Sequence, residues 1–211
     1  MASFVLALYA DRLAPKAHRA PLSAGNRVIY VRAGDATIRS GGQVAALAGN
    51  SAWHGAAGCE VAAGANGAAL LRWELAPAGA APAGEPLLAH GLELADPGGY
   101  LMRCDRVDFP PGGIAYTHTH RGPGIRCLLA GGIRVEVNGR TQDVQPGGAW
   151  FEAGPDPVRA LASGEPTGFA RVMILPRSSR GKSSIRYVLP EDQDKPKTQQ
   201  YQIFCDEPIT L

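Results

Sequence analysis

Residues 111–139 read Pro-Gly-Gly-Ile-Ala-Tyr-Thr-His-Thr-His-Arg-Gly-Pro-Gly-Ile-Arg-Cys-Leu-Leu-Ala-Gly-Gly-Ile-Arg-Val-Glu-Val-Asn-Gly. Within it Ile133, Val135 and Val137 alternate with Arg134 and Glu136, the period of a strand with one buried and one wet face. Asn138-Gly139 supplies the two-residue hairpin signal, because both residues tolerate the positive φ such a turn demands. The same period of two puts Tyr116, His118 and His120 on one side of their strand. Counted from Gly124, it also turns Arg126 and Leu128 inward. In a closed sheet that side is the interior, so two imidazoles from neighbouring positions are expected to meet in one hollow.

Outward from this stretch, the second half of the chain repeats the first. Arg72-Trp73-Glu74-Leu75-Ala76-Pro77 is echoed by Arg171-Val172-Met173-Ile174-Leu175-Pro176, Ala52-Trp53 by Ala149-Trp150, and Ala33-Gly34 by Ala130-Gly131. The anchors keep their order and nearly one offset, which argues for duplication. With 27 Gly and 17 Pro between short β-favouring runs, and no sustained helical period, the chain is predicted to be all-β. Arg27 to Val31, Gly131 to Val137 and Phe169 to Leu175 are the clearest strands, with turns at Gly49-Asn50-Ser51 and Pro146-Gly147-Gly148. The Ala/Gly/Pro stretch from Ala78 to Pro86 reads as a surface connector. The expected organisation is therefore one barrel over 1–86, a second over 87–176, and a C-terminal extension over 177–211. That extension carries strand-like runs at Ser184 to Leu189 and Tyr201 to Phe204, and is expected to dock on a barrel face or a partner subunit.

The 211 residues suffice for a core without covalent staples. Lys+Arg 21 against Asp+Glu 19 leaves a formal charge of +2 with no massed basic segment, which argues against nucleic acid as a partner. The apolar opening run Phe4 to Ala10 is too short to span a bilayer and lacks the flanks of a signal peptide, so no membrane and a cytoplasmic location are expected. Four cysteines without CxxC spacing, Cys59, Cys104, Cys127 and Cys205, read as buried free thiols. There is no nucleophile elbow, phosphate loop, dinucleotide fingerprint or HExxH helix.

Residues 111–139 resemble the first conserved motif of the cupin superfamily, in which an HxH pair, a following glutamate and an apolar strand precede a glycine turn. Residues 146–157, Pro-Gly-Gly-Ala-Trp-Phe-Glu-Ala-Gly-Pro-Asp-Pro, are similar to its second motif. With the internal repeat, the resemblance covers roughly residues 15–176 and implies a bicupin of two double-stranded β-helix barrels. Cupins hold a divalent metal with two histidines and a glutamate of motif one and a histidine of motif two. Here His118 and His120 match, but the glutamate position falls on Gly124 and the last histidine on Pro157. The resemblance thus implies a metal at His118 and His120, among Mn, Fe, Ni, Cu and Zn, with half of its ligand set missing.

Glu152 is the carboxylate in motif two nearest to the pair. The residues themselves leave two readings open: a metal site completed by water or Glu152, or a metal-free hydrogen-bonded pair at a barrel mouth. Arg126 in a small interior needs an anionic companion, which is either Glu152 or Asp156 or the carboxylate of a bound ligand. Trp150, repeated as Trp53, reads as packing. In the first half, His18-Arg19-Ala20-Pro21 aligned with His120-Arg121-Gly122-Pro123 puts Lys16 at the level of His118 and Glu60 at that of Pro157, a poor metal set. The sequence thus points to a small-molecule-binding bicupin with its ligand site at Tyr116, His118, His120, Arg126 and Glu152. The alternative is a metal-dependent cupin enzyme of dioxygenase, isomerase or decarboxylase type acting on a small carboxylate-bearing substrate. Whether the protein is catalytic is left open, and the resemblance implies a homodimer.

Overall fold

The computed structural model describes residues 2–96 and 98–211. The chain divides into two compact units, one over Met1–Ala95 and one over Asp96–Ile209. The first is built of β1 (Ala2–Leu13), β2 (Asn26–Ser40), β3 (Gln43–Ala48), β4 (Ser51–Gly55), β5 (Cys59–Pro77) and β6 (Leu88–Leu94). These form one sheet in the order β3-β2-β5-β1-β6, with β4 also on β2. The long strand β2 follows β5 from Leu75 to Ala68. After register shifts around Ala33 to Ala36 it pairs with Ala63 to Cys59, so one sheet bends round its own core. The bend needs glycine: Gly34 has φ 76°, and a Cβ there would lie 2.0 Å from the Gly67 carbonyl oxygen. Ile29, Val31, Ile38, Val61 and Leu70 fill the inside, with Trp53 packed against them.

The second unit carries β7 (Tyr100–Phe109), β8 (Ile114–His120), β9 (Gly124–Ala130), β10 (Ile133–Val137), β11 (Arg140–Val144), β12 (Ala149–Glu152), β13 (Val158–Ala162), β14 (Thr167–Pro176), β15 (Ile185–Tyr187), the short helix α1 (Pro190–Gln193) and β16 (Gln200–Ile209). Two five-stranded antiparallel sheets result, β11-β10-β13-β8-β15 and β12-β9-β14-β7-β16. Val107, Phe109, Leu128, Trp150 and Phe169 from the second sheet pack against Ala115, Ile133, Val135, Val144, Val158 and Ala160 from the first. Trp150 meets the Phe169 ring edge-on, with centroids 5.1 Å apart, which places the repeated tryptophan in the core.

The duplication is visible strand by strand. β9 and β10 correspond to the single bent strand β2, β13 and β14 to β5, β11 to β3, and β12 to β4; Gly131, the echo of Gly34, also has φ 70°. The exception is β8. Its counterpart in the first unit makes only isolated bridges, His18↔Ala62 and Leu22↔Cys59. Leu22 opposite Cys59 occupies the level that His118 occupies opposite Val158. The alignment that set Lys16 level with His118 is therefore corrected. An apolar side chain belonging to the core stands there in place of a histidine.

Both ends of the second barrel depart from the connector-based boundaries. β6 pairs with β1 from Ala2 to Leu8, so residues 88–94 complete the first sheet. The extension docks on its own barrel: β15 pairs antiparallel with β8, and β16 runs along β7 from Tyr100 to Asp108. All four cysteines are buried free thiols. Among the described residues no helix is long and apolar enough to cross a membrane. Trp150→Ala is expected to lower the stability of the second unit by about 3–5 kcal/mol, the usual cost of emptying a large core side chain; urea denaturation followed by far-UV circular dichroism measures it.

Candidate active site in the second barrel

Side chains directly opposite one another in an antiparallel sheet share a face. One such row crosses the second sheet of this barrel: Trp150 on β12, Arg126 on β9, Arg171 on β14, Asp105 on β7 and Ile203 on β16. The next row inward-facing is Glu152, Gly124, Met173, Arg103 and Asp206. Below these rows lie Leu128, Phe169 and Val107 of the hydrophobic core, so the charged residues form a polar layer at one end of the barrel. A guanidinium tolerates such a place only when paired. Arg171 holds Asp105 through two bonds of 2.6 and 3.1 Å, and Arg103 holds Asp206 at 2.8 and 2.9 Å.

The histidines enter from the opposite sheet. Between Ala115 and His118 the pairing of β8 with β13 shifts register, so that Ala115 and His118, three residues apart, both reach the interior. This irregularity corrects the simple count by twos that placed the Tyr116 ring with the imidazoles. The ring lies 4.9 Å from the Lys195 ammonium, and Tyr116 serves the site through its backbone carbonyl, which accepts from His118 Nδ1 at 2.7 Å. With its proton fixed on Nδ1, His118 presents the lone pair of Nε2. His120 Nε2 is 3.2 Å away and lies 3.0 Å from Glu152 Oε2, while His120 Nδ1 is buried without a hydrogen-bond partner. Tyr187 on β15 covers His118 with ring centroids 6.3 Å apart.

Glu152 is the pivot. Its Oε1 accepts from Trp150 Nε1 at 2.8 Å, and its Oε2 meets Arg126 Nη2 at 2.7 Å. The companion of Arg126 is thus Glu152; Asp156 is exposed and takes no part. Arg126 Nη1 also donates to the Gly124 carbonyl at 2.7 Å. Burial drives the His120 pKa down to about 3 against the pull of Glu152, and burial lowers that of His118, so both rings are neutral at pH 7. Burial opposes ionisation of Glu152, but Arg126 and His120 overcome it and hold the carboxyl well below its usual range. Burial brings Arg126 down to about 10, which leaves it charged at neutral pH.

Glu152 stands directly opposite Gly124, the position where the motif resemblance expects a glutamate. A side chain at 124 has no room, since a Cβ would lie 2.5 Å from the Val172 carbonyl oxygen. The carboxylate is delivered from the neighbouring strand instead. Its spacing from His120, and that between the two Nε2 atoms, matches the ~3 Å between adjacent donors around one ion with bonds of about 2.1 Å. The charge does not match. An ion on Glu152 Oε2 would stand no more than about 5 Å from the guanidinium. A divalent cation there meets repulsion of at least about 7 kcal/mol at an effective dielectric near 20. That repulsion cancels much of the attraction Glu152 would exert on the ion, and among the described residues no group of three or more His, Cys, Asp or Glu is arranged to hold one. As they stand, these residues do not fit the metal that the motif resemblance implies.

The open space lies beside the histidines rather than between them. A cavity of about 250 Å³ is lined by Arg103, Asp105, Arg171, Lys182 to Ile185, Tyr201 and Ile203. Arg171 in its wall adjoins Arg126 in the same row, so cavity and histidine cluster share one polar layer. Arg103, Asp105, Arg171 and the lining from β16 were not among the residues singled out from sequence. Arg171 had a signal, its recurrence as Arg72, which is likewise buried and bonded to a carboxylate, Asp11, at 2.9 Å. Asp105, alternating with Arg103 on an inward face, had a weaker one.

No family model and no curated protein matches the chain. Its structure is similar to solved ones at low identity. An oxalate decarboxylase of Lactobacillus farciminis in a formate complex aligns over 91% of this chain and 82% of that one, with TM-score 0.68 and 13% identity. A salicylate 1,2-dioxygenase from Pseudaminobacter salicylatoxidans aligns over 94% and 75%, with TM-score 0.59 and 10% identity. AerE from Microcystis aeruginosa aligns over 82% and 88%, with TM-score 0.61 and 12% identity. At such identities the likeness shows the fold alone, and that fold is two double-stranded β-helix barrels of the cupin type in one chain.

The proton linkage of this layer has a definite sign. Unfolded, His118 and His120 take up protons below about pH 6.5; folded, they resist, and Glu152 likewise stays ionised where the unfolded chain's carboxyl is protonated. The unfolded state therefore binds more protons, and stability is expected to fall by several kcal/mol as pH drops from 7 toward 3. Melting temperatures across that range check this, and His120→Phe is expected to flatten the upper part of the profile.

Proposed function

We propose that the protein is a small-molecule-binding bicupin whose second barrel takes a small organic anion in the cavity beside His118 and His120. The observation that carries this reading is the composition of the cavity wall. Arg103, Arg171 and Lys182 line it against one lining carboxylate, Asp105, while Tyr201, Ile203 and Ile185 offer an apolar side. Tyr201 and Ile203 are 46% and 51% exposed, unusual for large apolar residues beside a charged cluster, and a ligand with an apolar body would cover them. Lys182 is engaged by no salt bridge among the described residues, so its charge is available. The volume is below the ~300–1,000 Å³ of typical drug-sized pockets, which suits a compact metabolite. Arg126, singled out from sequence as the anion reader, is already matched by Glu152, and Arg171 by Asp105, so the reading moves to Lys182.

The second reading is a metal-dependent enzyme acting on a small carboxylate, as the names of the similar decarboxylase and dioxygenase suggest. It is favoured by the ~3 Å donor spacing at His118, His120 and Glu152 and opposed by Arg126. Uptake of one equivalent of Mn, Fe, Ni, Cu or Zn by the purified wild-type chain would favour it over ligand binding alone.

Benzoate and its neutral isostere benzamide serve as probes of the proposed site. Isothermal titration is expected to give at least about tenfold tighter binding of benzoate, and Lys182→Met is expected to erase most of that preference. Equal affinities for the two probes, or a preference untouched by Lys182→Met, would contradict the proposal.

A further inference from the structure

The donor set and the charge of the second barrel disagree with each other. The Nε2 atoms of His118 and His120 lie 3.2 Å apart, Glu152 Oε2 lies 3.0 Å from that of His120, and Glu152 stands opposite Gly124, where a side chain has no room. Yet the carboxylate is held at 2.7 Å by a guanidinium that is fully buried and tied to the Gly124 carbonyl, so it cannot swing away into solvent. A carboxylate in such dry surroundings requires a cation. We infer that Arg126 is the resident cation of this site: its guanidinium neutralises Glu152 and thereby keeps His118, His120 and Glu152 from taking up a divalent ion. The inference does not rest on the ligand reading, which concerns Lys182 and the neighbouring cavity.

Three consequences distinguish a resident guanidinium from a bound metal. It cannot be chelated, so EDTA leaves the melting temperature of the wild-type chain unchanged. It is covalently part of the chain, so dialysed wild-type protein retains far less than one equivalent of Co(II) or Zn(II). And its removal should unmask the donors. In Arg126→Gln, whose neutral amide ends at the level of the arginine Nε, the buried carboxylate loses its counterion while the imidazoles stay in place.

The experiment is a Co(II) titration of wild type, Arg126→Gln and Arg126→Leu, read by visible d–d absorption, by metal content after dialysis and by melting temperature. The glutamine variant is expected to melt lower than wild type without metal, to bind one Co(II) at least ~100-fold more tightly, and to regain melting temperature when Co(II) is added. Adding His118→Ala to that variant is expected to abolish the gain. Stoichiometric, EDTA-sensitive Co(II) binding by the wild-type chain would overturn the inference, as would folded Arg126→Gln or Arg126→Leu with no gain in affinity. Should neither variant fold, the wild-type titration decides alone: saturable one-equivalent binding refutes, and its absence together with EDTA-insensitive melting supports. Failure of benzoate binding with success here would sink the ligand reading and leave this one standing.

Discussion

The organisation of the second barrel depends on the ion pair between Arg126 and Glu152. Both groups are taken from water into a barrel interior, where either alone costs several kcal/mol; together, with Trp150, Gly124 and His120 supplying hydrogen bonds, they are accommodated. Because Glu152 stays ionised, His120 has a partner for Nε2, and because His120 is held there, His118 has one too. The chain of contacts runs from the backbone of β8 to the backbone of β9 and links the two sheets across the open end of the core. Such a chain orders side chains more than it stabilises them, since an apolar filling would avoid the desolvation altogether.

The two barrels show how one architecture carries different interiors. In the first, Leu22 stands at the level of His118 and joins a continuous apolar core, while a separate charged network has Arg72 bonding Asp11 and Glu74, Arg19 bonding Asp11, Arg27 bonding Glu74, and Tyr9 beneath the Arg72 guanidinium. In the second, the corresponding Arg171 bonds Asp105, and the polar layer extends sideways to Arg126, Glu152 and the histidines. The inward arginine common to both copies is a structural inheritance of the repeat. The histidine pair and the migrated glutamate belong to the second copy alone, which is why a binding or catalytic role is sought there and not in the first.

The cavity beside this layer exists because the C-terminal extension returns to the barrel. β16 adds a strand beside β7 and brings Tyr201 and Ile203 over Asp105 and Arg171, and the turn before β15 contributes Lys182 to Ser184. The extension whose strand-like runs pointed to docking on a barrel face thus forms one wall of the proposed ligand site. Both arginines in its wall are pinned by carboxylates, Arg171 by Asp105 and Arg103 by Asp206, so their guanidinium groups are held at fixed places.

Much of the architecture was legible in the sequence because it rests on local rules. Alternation in residues 133–137, the Asn138-Gly139 turn and the echo of Arg72, Trp53 and Gly34 at Arg171, Trp150 and Gly131 depend on neighbours in the chain and on a duplication that preserves order. From them follow two β barrels, the inward direction of Arg126 and the core position of Trp150. What local reading cannot supply is pairing between distant strands. The displacement of the Tyr116 ring follows from a register shift of β8 against β13, and the placing of Glu152 opposite Gly124 from the ladder between β12 and β9. The docking of residues 200–209 and the choice of Glu152 over Asp156 as the partner of Arg126 are likewise decided by which backbone lies beside which. The sequence by itself determined the barrels and the histidine pair. Only the tertiary structure decided which charge faces that pair, because a buried charge is matched by whatever the fold brings within about 3 Å, and that distance is not written in the order of the residues.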